Sequence, residues 1–145
     1  MVVHPSHPPS LPPSQVYPLD HDAKAGISKA VPVRTGDGDA VYLPALRRAL
    51  DEAAADFGRP DLVLWNAGSD PLVGDPLGLL AVSREGMLER DRLVMDFARR
   101  RLKAPVCWCL SGGYQDNNAG LIAERCGPPR GMVGSGACVR LRPGF

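Results

Sequence analysis

Residues 61–66, DLVLWN, and 104–110, APVCWCL, decide the fold. Each is a short unbroken apolar run closed off by glycine, proline or serine, and that pattern predicts a strand covered on both faces, as in a parallel sheet. Between them, a loop rich in Gly, Asp and Pro leads into a helix that Ser83 can cap and that reaches about Lys103. Along it Leu88, Met95 and Leu102 recur at heptad spacing with Val94 and Ala98 beside them, while Arg99, Arg100, Arg101 and Lys103 gather at the negative end of its dipole. A shorter helix through Ala119, Leu121, Ile122 and Ala123 follows the second run. Strand, loop, helix, strand, loop, helix implies right-handed crossovers and a parallel α/β sheet.

Working toward the amino terminus, Leu43, Leu46, Leu50, Ala53 and Phe57 keep the 3.6-residue period, Pro44 suits a first helical turn, and Gly58 with Pro60 ends the helix. Before it, AVPV at 30–33 predicts a brief strand running into the turn letters of 35–39. The opening, MVVHPSHPPSLPPSQVYP, carries too many prolines for a helix and is expected to be an extended, disordered arm. After Arg125, CGPPRGMVGSGACVRLRPGF loses all periodicity. The expected organisation is a Pro-rich arm over 1–15, a domain over 16–125 and an unstructured tail over 126–145.

Composition limits what such a domain can do. In 145 residues, 17 Lys and Arg stand against 16 Asp and Glu, for a net charge of +1, so no basic stripe calls for nucleic acid or an anionic membrane surface. No apolar stretch approaches the roughly 18 residues of a spanning helix, and no secretory leader opens the chain, so a soluble intracellular protein is expected. Cys107, Cys109, Cys126 and Cys138 crowd the last third in a poor disulfide framework and are expected to be reduced. His4 and His7 have no helix to bring them to one face, so metal binding by that pair is not expected.

Ligands of an open parallel sheet bind beyond the carboxyl ends of its strands, and both unusual loops lie there. Loop one, 66–78 (NAGSDPLVGDPLG), presents Asp70 and Asp75; loop two, 111–115 (SGGYQ), presents Tyr114 behind two glycines that permit positive φ and close backbone approach. If the strands are neighbours, an aspartate and a tyrosine converge. A carboxylate can ligate zinc while a phenol donates to the oxyanion formed as water adds to an amide carbonyl, which is the chemistry of metal-assisted amide hydrolysis. Against this, Asp-Pro and Gly-Asp are ordinary turn dipeptides and Gly-Gly-Tyr is common.

The two loops with their flanking elements, 61–94 and CLSGGYQDNNAGLIAE, resemble the carboxyl-terminal half of the zinc-dependent histone deacetylase family, most closely its class IV type. The resemblance extends weakly back to VYPLDHDAKAGISKAVPV. It implies a three-layer parallel sheet with flanking helices, of the arginase/deacetylase kind, truncated at the amino terminus, with both chain ends foreign to the family. By the same resemblance, Asp75 matches an aspartate ligand of the catalytic zinc ion (Zn2+), and Tyr114 matches the tyrosine that hydrogen-bonds the acetyl carbonyl. Gly112 and Gly113 match glycines lining the acyl-lysine channel, and Asp70 takes a loop-supporting role.

The implied substrate is acetylated lysine in histones or other proteins, in the nucleus or cytoplasm; acetylated polyamines are the lesser alternative. The family's Asp-x-His ligands and paired histidines have no counterpart, since the histidines are His4, His7 and His21, the last expected in an exposed loop. Catalysis without a base forgoes roughly 10² to 10⁴ in rate, so the alternative reading is an inactive remnant serving as an interaction module.

Overall fold

The computed structural model describes residues 2–6 and 21–126. Among the described residues, four strands form two parallel pairs: β1 (Val2–Ser6) with β2 (Ala30–Arg34), and β3 (Val63–Asn66) with β4 (Val106–Cys109). Helix α1 spans His21–Ala25, α2 Asp39–Phe57, α3 Arg84–Asp96 and α4 Asn118–Cys126. The backbone expected of the amino-terminal arm is extended at 2–6, but it is paired with β2 rather than free. The rest of that arm, from 7, lies outside the described residues, as does the tail beyond α4. His21, expected in a loop, opens α1.

Helix α2 starts at Asp39, ahead of the expected first turn, so Pro44 sits in its second turn. A tertiary contact sets that start. The Asp39 carboxylate accepts from the Ser83 backbone N–H at 2.8 Å and from the Ser83 hydroxyl at 2.5 Å. Ser83 in turn caps α3, its Oγ accepting from the Gly86 N–H at 2.9 Å, so one serine joins the amino ends of two helices. The buried side chains of α2 are Tyr42, Ala45, Leu46, Ala49 and Leu50; Phe57, expected inside, is exposed. Helix α3 passes at Phe97–Arg101 into a π-helical turn, with the Leu102 N–H bonded to the Phe97 carbonyl.

Helices α2 and α3 pack together, α2 lies on β2, and α3 touches α4. Their shared core is built from Val33, Tyr42, Leu46, Leu50, Leu80, Val82, Met87, Val94 and Leu121. On β3 and β4, Val63, Trp65, Val106 and Trp108 face this helix layer, whereas Leu64, Asn66, Cys107 and Cys109 are exposed. The expectation of strands covered on both faces is therefore corrected to coverage of one. Helices α3 and α4 lie on the same side, and among the described residues nothing covers the other. Cys107 and Cys109 are exposed and carry no disulfide among the described residues. No described helix is long and apolar enough to cross a membrane.

Candidate active site

Trp65 and Trp108 are register partners across β3 and β4, so the two strands are neighbours and their carboxyl ends open on one edge. Loop one and loop two meet there through a series of hydrogen bonds. Ala67 N–H bonds Cys109 O at 2.8 Å, and Ser69 bonds Gly112 O through its N–H at 2.5 Å and its hydroxyl at 3.2 Å. Tyr114 N–H donates to Asp75 Oδ2 at 2.7 Å, and the Gln115 amide donates to Val73 O at 2.9 Å. The two loops thus meet on one edge, and what joins Tyr114 to Asp75 there is the Tyr114 main chain rather than its phenol.

Asp75 is only 6% exposed. Its Oδ1 accepts from the N–H groups of Leu77 (2.9 Å) and Gly78 (2.8 Å), which closes the turn GDPLG around its own carboxylate. Three backbone donors thus occupy two oxygens that offer about four acceptor positions. Tyr114 is exposed, beside an open depression of about 490 Å³ lined by Gly74, Pro76, Gln115, Asp116 and Asn117.

Proximity constrains both glycines of loop two. Gly113 adopts φ +139°, a conformation that side chains rarely tolerate, and a Cβ there would also collide with Ser69 Oγ. At Gly112 a Cβ would lie 2.6 Å from Asp70 Oδ1. The Asp70 side chain is thereby wedged against the backbone of loop two.

A zinc site needs three or four converging ligands. Among the described residues no three His, Cys, Asp or Glu side chains converge in that way. Asp75 has room for one further partner, so these residues do not by themselves hold the ion.

Sequence reasoning passed over three residues beneath this edge. Arg90 of α3 is 2% exposed and Arg125 of α4 is 8% exposed, and Asp91 lies between them. The available signal was phase. The buried stripe of the α3 segment is Met87, Arg90, Val94 and Ala98, with an arginine in an apolar position, rather than the half-buried Leu88, Met95 and Leu102.

The profile of the histone deacetylase domain matches residues 3–126. "Histone deacetylase 2" of Arabidopsis thaliana is 42% identical over 110 residues, covering 76% of this chain and 28% of that protein. "Polyamine deacetylase HDAC10" of Mus musculus is 33% identical over 112 residues, covering 77% of this chain and 16% of that one. Among solved structures, the HDA15 HD domain superposes with a TM-score of 0.53 at 29% identity, over 66% of this chain and 26% of that chain. The chain therefore spans under a third of the length of the relatives it matches. A parallel sheet with flanking helices, likeness to a solved deacetylase domain, and a family match over most of the sequence agree: the chain belongs to the histone deacetylase family, with the arginase/deacetylase fold.

Proposed function

We propose that this chain carries the carboxyl-terminal loops of a lysine deacetylase, and that its part in hydrolysing the acyl-lysine amide is to seat the acetyl group and stabilise the developing oxyanion. The observation that supports this most directly is the bond from Tyr114 N–H to Asp75 Oδ2 at 2.7 Å, which couples the two family loops. In this reading the Tyr114 phenol, exposed at the rim, donates to the carbonyl oxygen as negative charge builds on it. Gly112 and Gly113 keep the wall of the acyl-lysine channel thin, and Asp70 supports the loop. Asp75 would offer its remaining acceptor position to a zinc ion whose other ligands, like the proton-handling base, come from outside the described residues.

The test joins this 145-residue chain to the amino-terminal portion of Arabidopsis histone deacetylase 2 that it does not match. Zinc binding and turnover of an acetyl-lysine peptide are measured with and without a hydroxamate. Hydroxamate-sensitive turnover that falls by about 10² to 10³ in Tyr114→Phe supports the reading. A folded, zinc-loaded but inactive protein, or a Tyr114→Phe variant of unchanged rate, overturns it.

One observation favours a second reading, that the chain acts as an interaction module. Leu64 is 72% exposed on the face of β3 and β4 that no described element covers. Such a module would keep its partner in Tyr114→Phe.

A further inference from the structure

The covered face of β3 and β4 repeats one contact twice. Trp65 of β3 lies beneath the guanidinium of Arg90, 5.3 Å from the ring centroid, and Arg90 comes from the helix that follows that strand. Trp108 of β4 lies beneath Arg125 at 5.4 Å, again supplied by the following helix. Because the two indoles are register partners, the two guanidiniums are brought side by side. Asp91 bridges them: Arg90 Nε donates to Oδ1 at 2.9 Å and Arg125 Nε to Oδ2 at 2.6 Å. The other arm of each arginine reaches a main-chain carbonyl, Arg125 Nη2 to Ala67 O and Arg90 Nη1 to Gly68 O, both at 2.7 Å.

Two buried cations against one carboxylate make a poor stabilising core, since well-packed apolar side chains of similar volume are often as good or better. Apolar side chains cannot grip two successive carbonyls, and charge-assisted bonds of this kind are short and directional. The gripped carbonyls are those with which loop one leaves the sheet, immediately before Ser69 makes its bonds to Gly112. We infer that Arg90, Asp91 and Arg125 are positioning residues: together they set the height of loop one over loop two, and through it the junction between Asp75 and Tyr114. The importance of that junction for catalysis rests on the function proposed above; the geometry of the device does not.

Amide hydrogen exchange on the full 145-residue chain, resolved by NMR, tests this. Arg125→Lys keeps the charge but loses the planar fork that serves Asp91 and Ala67 O together. Exchange at the Ser69 and Tyr114 amides should speed up by about tenfold or more, while Leu46 and Leu50 in α2 change by less than about threefold. Equal acceleration at all four would mean a general structural role and overturn the inference, as would no change at Ser69 and Tyr114. Asp91→Asn removes the bridging charge at nearly constant shape, must give the same local pattern, and decides the matter if Arg125→Lys does not fold. Exchange is read without turnover, so an inactive deacetylase assay and a failed positioning device remain separate outcomes.

Discussion

The backbone N–H of Tyr114 donates to Asp75 Oδ2 at 2.7 Å, a bond that spans 39 residues of sequence. It makes the carboxylate of one family loop the anchor of the other. Asp75 is thereby a structural acceptor whatever else it binds, and its removal has a cost that does not depend on chemistry.

Asp75→Asn should destabilise the chain by about 2–4 kcal/mol, read as a lower urea midpoint at unchanged slope. A carboxamide has a single acceptor oxygen, so either the Tyr114 N–H or the Leu77 and Gly78 N–H pair is left facing an NH2 group.

Tyr114→Phe should leave stability within about 0.5 kcal/mol of the parent, because the Tyr114 side chain is exposed and its anchoring bond comes from the main chain. Any loss of turnover in that variant then reports the phenol and not the fold.

Gly112→Ala should cost about 1–3 kcal/mol, since the added methyl group would overlap the Asp70 carboxylate. Asp70→Ala in the same chain should recover part of that loss. A double-mutant cycle in urea measures the coupling, and simple additivity would contradict the wedge described for Asp70.

Leu64→Glu should leave the melting temperature nearly unchanged in a thermal scan, because this leucine is exposed on the sheet face that no described element covers. Leu46→Ala, by contrast, empties a core position that is 1% exposed and should cost about 2–5 kcal/mol.

The Cys109 thiol titrates above its ordinary value of 9.0, first because it shares a hydrogen bond with Cys107 and then because of that neighbour's charge. A raised thiol pKa lowers the thiolate fraction at any pH below it, and only the thiolate is alkylated. Cys107→Ala removes both causes, so alkylation of Cys109 at mildly alkaline pH should become faster and its rate profile should move to lower pH. Mass spectrometry at the Cys109 peptide measures both.

The outline of the fold could be read from the local text because the relevant signals are local. Apolar runs at 61–66 and 104–110, a cap at Ser83 and a stop at Gly58 each act within a few residues; both runs form strands, though covered on one face only, and the cap and the stop stand as read. Mistakes arose where distant residues decide. The start of α2 moved to Asp39 because Ser83, 44 residues away, binds its carboxylate. Phe57, the last residue of α2, is exposed although its period is correct.

The candidate site divides in the same way. Its residue types, Asp75 and Tyr114 in glycine-bearing loops at the ends of apolar runs, follow from order along the chain, as does the parallel topology that sends both loops to one edge. Only the packed structure decided that Asp75 spends three acceptor positions on main-chain donors, that Asp70 is wedged against Gly112, and that β3 and β4 are covered on one face. It also assigned Arg90, Asp91 and Arg125 to the support of loop one. A hydrogen bond or a buried charge is a relation between groups brought together by the whole chain, and periodicity in one segment carries no information about what will lie opposite it.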